Sequence, residues 1–457
     1  MTHPLSPMTA TDSPLFGAGF SSKDMRTLFS PESYVAYCVE VEVALARVQA
    51  KLGLIPADAA QGIEAAAKTC SFDMDRLARE TEIVGYPILP IVEQLSAHAG
   101  DAGRYLHWGA TTQDIMDSAT ILQIRSALDL IEDGLSSTCS ALENLAETHC
   151  DTPMAGRTHL QHALPITFGY KAAVWLSALR RHQQRLAELR PRILCVEFSG
   201  ASGTLASLGK DGLAVQKALA EDLGLRQPDI TWHSARDGIS EALNLLAMIG
   251  GSLGKVAFDI SIMMTTELAE VAEPFVRHRG ASSTMPQKAN PISCELILAS
   301  ARVLRQHAGL GLDAMIHDFE RATGPWHLEW IAVPEAFGHC SAILGHATFM
   351  LSGLQVFPQN MRRNLDSTRG LIVAEAVMMA LAPYTGRVPA HDLVYAGCRA
   401  AIEKGTSLFE VLSQTPEVVQ HLDAQALQRL TEPSNYLGSA QEMVRRVLSR
   451  QTKAAAE

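Results

Sequence analysis

Apolar residues recur at the spacing of a single helix face along two long stretches of the chain. In each stretch the apolar positions lie alternately three and four residues apart, which keeps them on one side of an α-helix, and neither stretch contains proline. We therefore predict two long helices, and helices of this kind pack as a bundle. Their apolar seams are Ile121, Ile124, Leu128, Ile131, Leu135, Thr138, Leu142 and Leu145 in the first stretch, and Ile239, Ala242, Leu246, Ile249, Leu253, Val256, Ile260 and Met263 in the second.

The same pattern predicts two further long helices and three parts of the chain. One helix should run from about Pro165 to Arg190, and another should begin at Pro291 and end near Leu310. Short strands are expected only near 194–208, so the fold class is all-α. Proline and glycine spacing divides the chain into three predicted domains: an N-terminal helical domain at 1–113, a central long-helix bundle at 114–365, and a C-terminal helical domain at 366–457.

Composition and charge narrow the choice of partner. Apolar residues make up 47% of the chain and aromatic residues only 6%, which favours helices over a β-sandwich. The net charge of −11 argues against nucleic acid or an anionic membrane as a partner, because both need a basic face. If the substrate is a polycarboxylate, its site must gather local Lys, Arg and N–H donors.

The sequence also carries expectations about compartment. The eight cysteines are scattered without Cys-x-x-Cys spacing, which indicates reduced thiols rather than disulfides or a zinc site. The N-terminus lacks the charged and apolar regions of a secretory signal. The most apolar stretch, 239–264, is interrupted by Glu241, Lys255 and Asp259 and is predicted to be a buried helix rather than a membrane span. We expect a cytoplasmic protein.

Three polar, glycine-rich segments interrupt the predicted helices. The first, 107-HWGATTQD-114, precedes the first long helix. Thr111, Thr112 and Asp114 suit a helix N-cap, and hydroxyls with free N–H groups at a helix start also suit a carboxylate ligand. Both interpretations can hold together.

The second segment, 156-GRTHLQHALPITFG-169, contains two histidines, His159 and His162. A lone histidine is more often a hydrogen-bonded structural residue. Two histidines three residues apart suit part of a metal site, but no third and fourth ligand follows at useful spacing, so we expect no metal. A general acid or base is the better interpretation, because imidazole titrates near neutral pH.

The third segment, 280-GASSTMPQKANPISCE-295, combines glycine, paired serines, a lysine and Asn-Pro, which a solvated linker would not need together. A further segment, 200-GASGTLASLG-209, looks like a phosphate-binding loop. It lacks a strong preceding strand and the Lys-Ser/Thr ending of such loops, so we do not favour that role.

Taken together, the three segments resemble the three shared regions of the fumarase/aspartase superfamily. The third resembles the superfamily signature G-S-S-x-x-P-x-K-x-N, with Ala281 inserted after the glycine, and the order along the chain agrees. The resemblance covers almost the whole chain. It implies a homotetramer with a central twenty-helix bundle, in which each active site takes one shared region from each of three subunits, and it implies no metal and no organic cofactor.

Within the superfamily the chain resembles most the branch of 3-carboxy-cis,cis-muconate cycloisomerase and adenylosuccinate lyase. The supporting stretches are LFGAGFSSKDMRTLFS, RYLHWGATTQDIMDSATILQIRSALDLIE, RRNLDSTRGLIVAEAV and NYLGSA. The Arg-Tyr start with which adenylosuccinate lyases help to hold the nucleotide phosphate is not found near residues 10–30. His159 and Glu295 match the lyases, whereas some bacterial cycloisomerases carry Trp and Ala there, and 83-IVGYPILP-90 also departs from the cycloisomerases.

This resemblance implies an elimination–addition enzyme that acts on a small polycarboxylate. The leading expectation is lactone formation from a carboxymuconate, a step in aromatic catabolism. The alternative is a C–N or C–O lyase that releases fumarate from a substituted succinate, such as an N-substituted aspartate. Adenylosuccinate lyase and a catalytically inactive structural relative are further alternatives, although an inactive relative should have lost part of the Ser/Lys/Asn/His set, which is intact.

The resemblance also implies roles for individual residues. Ser282 is the expected general base, with Ser283 as its neighbour, while His159, oriented and charged by Glu295, protonates the leaving group or holds a water. Removal of a proton α to a carboxylate builds a dianion, so the site needs preorganised donors and cations. The expected substrate-binding residues are Thr111, Thr112, Gln113, Thr158, Gln161, Met285, Lys288 and Asn290, with His162, Tyr86 and Arg321 as additional candidates.

Overall fold

The described part of the chain is built almost entirely of helices. The structure, a computed structural model, describes residues 9–280, 284–285, 287–321 and 323–454. Nineteen α-helices and four short strands lie within these residues, which confirms the all-α class. The N-terminal part contains helices α1 to α6, which are Gly17–Phe20, Lys23–Leu28, Pro31–Lys51, Ala57–Thr69, Met74–Val84 and Ile88–Ala99.

The middle of the chain holds the long helices. Helices α7 to α12 are Thr112–Thr148, Phe168–Ile193, Gly212–Leu223, Asp237–Met263, Ile292–Asp313 and Pro325–Ser352. The four predicted long helices are confirmed as α7, α8, α10 and α11. Helix α12, which contains an internal proline, Pro334, was not among the predicted helices.

The C-terminal part contains shorter helices that begin at recognisable caps. Ser407 forms a capping box with Glu410, and the side chain of Asp423 accepts a hydrogen bond from the backbone N–H of Ala426. Helices α13 to α19 are Pro358–Asp366, Ala374–Thr385, Arg387–Lys404, Leu408–Leu412, Pro416–Val419, Ala424–Leu430 and Ala440–Ala454.

The principal β-structure is a hairpin that the sequence analysis did not predict. Strands β1 (Pro153–Thr158) and β2 (Gln161–Thr167) pair antiparallel, with an irregularity between Ala155 and Arg157. Helix α8 therefore begins at Phe168 rather than at Pro165, because Pro165 belongs to β2. The predicted strands near 194–208 do not form; within the described chain this stretch contributes one isolated bridge, from Cys195 to Arg226. A second pair joins β3 (Val271–Ala272) to β4 (Gln355–Val356).

Residue contacts divide the chain into two compact units. The first contains Met1–Ser136, Arg181–Gly254 and Leu296–His346, and the second contains Ser137–Arg180, Lys255–Glu295 and Ala347–Glu457. The division into 1–113, 114–365 and 366–457 follows stretches of sequence and stays a prediction. The seam residues of α7 and α10, which the two units share, are all buried, as predicted. One core cluster of the second unit is formed by α14–α18, with the buried residues Val377, Leu381, Ala390, Val394, Leu408, Leu412, Val418, Leu422 and Leu427.

A fully buried arginine lies within the first unit. Both forks of the Arg236 guanidinium are occupied by carboxylates: Nη1 and Nη2 donate to Asp117, and Nε and Nη2 donate to Glu329. The indole N–H of Trp326 also donates to Asp117, at 3.1 Å. Bidentate pairs of this kind compensate the cost of removing three charges from water.

Helix α10 is apolar enough to deserve comparison with a membrane span. Its length and mean hydropathy of 1.5 satisfy the requirement for crossing a bilayer, but half of its most apolar window is buried inside the protein. It also carries an ion pair between Lys255 and Asp259. A single helix of this kind is weak evidence for a membrane span, because a partly buried core helix has the same length and composition. All eight cysteines are free thiols in the structure.

Replacing Arg236 by methionine should destabilise the protein strongly. The Arg236→Met variant leaves Asp117 and Glu329 buried without their counter-charge, which we expect to cost roughly 3–5 kcal/mol. Urea unfolding at a fixed protein concentration measures the loss. Arg399→Met is the matched control, because Arg399 pairs with Glu403 on an exposed helix face and its removal should change little. Equal stabilities for the two variants would contradict the assignment.

Candidate active site

The first polar segment is fixed at the start of α7 by a buried aspartate. The carboxylate of Asp114 accepts hydrogen bonds from the backbone N–H groups of Thr111 (2.9 Å), Ser199 (2.9 Å) and Gly200 (3.0 Å). The first bond resembles one half of a capping box, as the N-cap interpretation predicted. The other two bonds tie Asp114 to the first residue of the glycine-rich segment 200–209 and to the residue before it. Thr111 itself stays half-buried.

Asp114 also belongs to a buried cluster with His233 and Glu197. The Nε2 atom of His233 lies 2.8 Å from Asp114 and 3.6 Å from Glu197. Burial raises the pKa of Glu197 to about 7, against the opposing charge of His233. The three groups have the spacing of metal ligands. Their carboxylate oxygens already accept hydrogen bonds from protein donors, including the hydroxyl of Thr231 and the backbone N–H of Trp232 on Glu197. The cluster therefore fits a structural role that joins three segments of the chain.

Gln113 and Arg321, which the sequence analysis named separately, are joined by a hydrogen bond. The Nε of Arg321 donates to the amide oxygen of Gln113 at 3.1 Å, and its Nη2 donates to the carbonyl of Ala201 at 3.0 Å. Gln113 is only 1% exposed, and its amide nitrogen donates to Asp117 and to the carbonyl of His233. The amide nitrogen and the amide oxygen of Gln113 therefore both have hydrogen-bond partners within the protein. The side chain of Arg321, in contrast, is only half-buried.

His107, at the beginning of the same segment, has a partner that the sequence analysis missed. Its Nδ1 lies 2.6 Å from the fully buried carboxylate of Glu42, which also accepts a hydrogen bond from the backbone N–H of His107. Burial alone would lower the pKa of His107, but the hydrogen bond and charge of Glu42 outweigh it, and the pKa lies above its usual value. His107 also adopts a φ of 58°, which side chains other than glycine rarely accept and which is common at functional sites.

Tyr86, from the stretch that departs from the cycloisomerases, lies in an aromatic cluster. Its ring stacks on Trp326 with the centroids 5.7 Å apart and meets Trp330 edge-on at 6.0 Å. The two tryptophans, with Asp117 and Glu329, line a cavity of about 350 Å³ in the first unit. Aromatic packing therefore holds the ring of Tyr86, which the sequence named as an additional substrate-binding candidate.

The second polar segment forms the tip of the hairpin in the second unit. His159 and Leu160 occupy the two turn positions with φ of 51° and 62°, a geometry that normally selects Asn-Gly. Thr158, His159 and Gln161 are exposed there, and Leu160 is 72% exposed. A strained turn that exposes these side chains is typical of a functional tip.

The remaining polar groups in and after this segment differ in their partners. Arg157 forms a bidentate ion pair with the fully buried Glu270. Burial and the charge of Arg157 lower the pKa of His162, so its imidazole is neutral near pH 7. Lys171, one turn into α8, has its pKa lowered mainly by burial and forms no ion pair within the described chain. It is a cation close to this segment in sequence that the sequence analysis did not consider.

Hydrogen bonds join the two ends of the loop in the third polar segment. The backbone N–H and the side-chain amide of Asn290 both donate to the carbonyl of Gly280, at 3.2 and 3.0 Å. Glu273 accepts hydrogen bonds from the backbone N–H groups of Ser293 and Cys294 and so caps α11.

The other predicted residues of this segment are exposed or lie outside the described residues. Met285, Lys288 and Glu295 are exposed. Ser282 and Ser283, the expected base and its neighbour, lie outside the described residues.

Comparison with known proteins gives these segments a family context. Residues 19–305 match the family model described as Lyase, and residues 370–447 match the model described as Adenylosuccinate lyase C-terminus. The chain belongs to the fumarase/aspartase superfamily. It is an enzyme of the lyase and cycloisomerase type found in that superfamily.

Several superfamily members resemble this chain over almost its full length. A 3-carboxy-cis,cis-muconate cycloisomerase from Pseudomonas aeruginosa is 45% identical and covers 95% of this chain and 96% of its own. Trans-aconitate decarboxylase 1 from Mycosarcoma maydis is 48% identical over 98% of this chain and 91% of its own. A solved structure of a fumarate lyase from Mesorhizobium sp. BNC1 is 65% identical, with a TM-score of 0.91, and covers 95% of this chain and 100% of its own.

The three shared superfamily regions are distributed between the two units. The first lies in the first unit, and the second and third lie in the second. Among the described residues no hydrogen bond or ion pair joins His159 to Glu295. Their dyad stays a prediction, as does the assembly of each active site from several subunits.

The His107–Glu42 pair predicts a pH-dependent mutational effect. Because the folded-state pKa of His107 is raised, the ion pair contributes fully below the unfolded pKa and is lost as the pH rises through the folded pKa. Glu42→Gln should therefore lower the thermal midpoint more at about pH 6 than at about pH 9. The neutral glutamine can still hydrogen-bond the neutral imidazole. Melting curves of both proteins at the two pH values test this, and a deficit that grows with pH would contradict it.

Proposed function

We propose that this enzyme is a 3-carboxy-cis,cis-muconate cycloisomerase, which forms a lactone by adding a substrate carboxylate to a conjugated C=C bond. The observation that carries the proposal is the 45% identity to the Pseudomonas aeruginosa cycloisomerase over nearly all of both chains. The reaction needs no water and no cofactor, because the carboxylate oxygen forms the new C–O bond and one proton is added at the neighbouring carbon.

The chemistry requires that developing negative charge be stabilised. A proton α to a carboxylate is weakly acidic, and its removal or addition passes through a dianionic aci-carboxylate, which preorganised cations and donors must hold. In a protein of net charge −11, this role needs local cations. Lys288 is exposed and forms no ion pair within the described chain, and Arg321 has only neutral acceptors. Both are therefore available to carboxylates.

Individual roles follow from chemistry and resemblance together. Ser282 is the proposed base, with Ser283 as its neighbour. The residues proposed to hold carboxylates are Thr111, Thr112, Thr158, Gln161, Lys288 and Asn290. The superfamily resemblance supports a homotetramer, and the half-exposed Met248 (45%) and Phe258 (55%) on α10 suit a helix interface. We also propose a cytoplasmic location and a role in aromatic catabolism.

A second candidate is a lyase that releases fumarate from an N- or O-substituted succinate. His159 and Glu295 favour it, because they match the lyase pattern in place of the Trp and Ala of some bacterial cycloisomerases. The 65% identity to a protein described as a fumarate lyase gives further support. In this reaction His159, charged by Glu295, would protonate the departing heteroatom while a serine removes the proton α to the carboxylate.

Substrate assays should distinguish the candidates. We expect the purified protein to consume 3-carboxy-cis,cis-muconate, seen as loss of conjugated absorbance, and not to release fumarate from N-substituted aspartates. The Ser282→Ala/Ser283→Ala variant should be slower by roughly 10²–10⁴-fold, since it lacks the serine that delivers the proton in lactone formation and removes it, as the base, in the reverse direction. Fumarate release alone would favour the second candidate. Release of CO₂ from trans-aconitate without lactone formation would contradict both.

Replacing His159 tests which reaction its dyad serves. For lactone formation no heteroatom leaves, so His159→Ala should change kcat by less than about tenfold. For a C–N or C–O lyase the same variant removes the general acid and should lower kcat by roughly 10²–10⁴-fold. His162→Ala is the matched control on the same hairpin, because the His162 imidazole is neutral near pH 7 and only partly exposed. A large loss of lactonising activity in His159→Ala, but not in His162→Ala, would contradict the expectation that lactone formation does not need His159.

A further inference from the structure

Arginine side chains differ in how much of the guanidinium remains available to a ligand. The group has two planar forks: a side fork formed by Nε and Nη2, and an end fork formed by Nη1 and Nη2, and each matches the two oxygens of a carboxylate. In Arg236 both forks are filled by buried carboxylates. In Arg157 the end fork is filled by Glu270. A substrate carboxylate could bind Arg236 only by displacing one of these ion pairs, and the charge of Arg157 is already neutralised by the buried Glu270.

Arg321 differs from both. Its side fork is filled by two neutral oxygens, the amide oxygen of Gln113 and the backbone carbonyl of Ala201. Its end fork has no acceptor in the described part of the chain, and no carboxylate neutralises its charge there. The side fork of Arg321 is thus fixed by hydrogen bonds while, among the described residues, its end fork is free to donate. A guanidinium in this arrangement can bind the two oxygens of a planar anion.

Gln113 can present only its oxygen to Arg321. Its amide nitrogen donates to the carboxylate of Asp117 at 3.0 Å and to the carbonyl of His233 at 2.9 Å. Turning the amide over would bring its oxygen against these two acceptors and its N–H group against the guanidinium. The orientation is therefore fixed by electrostatics on both sides.

Asp117 is in turn immobile. It accepts both end-fork hydrogen bonds of Arg236 and the indole N–H of Trp326, and it is almost completely buried. A continuous set of hydrogen bonds therefore runs from this buried charge cluster through Gln113 to the side fork of Arg321. Preorganisation of this kind lowers the entropy cost of binding, because the arginine need not be ordered when the ligand arrives.

We propose that the end fork of Arg321 binds one carboxylate of the substrate and that Gln113 is the positioning residue that fixes the fork. This inference rests on the proposed function only in taking the ligand to be a polycarboxylate. It changes the expected role of Gln113, which holds Arg321 instead of touching the substrate.

The test is a double-mutant cycle read by ligand binding and by turnover. Arg321→Gln should weaken binding of propane-1,2,3-tricarboxylate, measured by calorimetry on the whole protein, by roughly 10- to 100-fold, and Gln113→Met by about tenfold. Both variants should raise KM more than they lower kcat. In the Arg321→Gln background, Gln113→Met should change the Kd by less than about twofold, because Gln113 acts through the arginine.

A matched control separates positioning from general damage. Gln123 lies on the same helix, is equally buried and donates its amide to the carbonyl of Leu28, so Gln123→Met removes a similar hydrogen bond at a distance from Arg321. It should lower the thermal midpoint as Gln113→Met does without changing the Kd.

The binding measurement stands apart from the turnover assays. If the protein binds the tricarboxylate but converts none of the assayed substrates, the proposed function fails and the inference survives. If the wild-type protein does not bind it, if Arg321→Gln binds it normally, or if the two mutational effects simply add, the inference is wrong.

Discussion

Two aspartates one helical turn apart at the start of α7 hold the first polar segment in place. Asp114 gathers N–H groups from its own loop and from the turn at 199–200, and Asp117 gathers Arg236, Trp326 and Gln113. A buried carboxylate that lost these donors would cost several kcal/mol. The segments that bring the donors therefore cannot shift independently, and the beginning of one helix determines where the loops around it lie.

The long helices could be predicted because their apolar seams are continuous in sequence, and the seam residues of α7 and α10 are indeed buried. The hairpin of β1 and β2 could not be predicted from the sequence in this way. Its tip carries His159 and Leu160 where a turn with positive φ would ordinarily show Asn-Gly, and Pro165 suggested a helix start when it is in fact part of a strand. In both places local sequence preference is overridden by the surrounding fold.

The candidate site was predictable only where its residues share one short segment. The signature and the two other polar segments supplied names for most of the candidates. Glu42 lies 65 residues from His107, and Arg236 lies 119 residues from Asp117, so no spacing rule could have paired them. This distinction matters for mechanism. The short polar segments supply the side chains that can contact a substrate. Their partners from distant parts of the sequence determine how rigidly these side chains are held and which of their atoms remain available for hydrogen bonds.

Trp326 gives the buried charge cluster an optical consequence. Its indole N–H is bonded to Asp117, its ring stacks on Tyr86, and it is shielded from solvent. Indole emission responds to charges and hydrogen bonds in its immediate surroundings, so any change in the ionisation or geometry of Asp117 is coupled to the fluorescence of this one tryptophan. Trp326 is thus an intrinsic fluorescent reporter that is hydrogen-bonded to the first turns of α7, where the first polar segment is held.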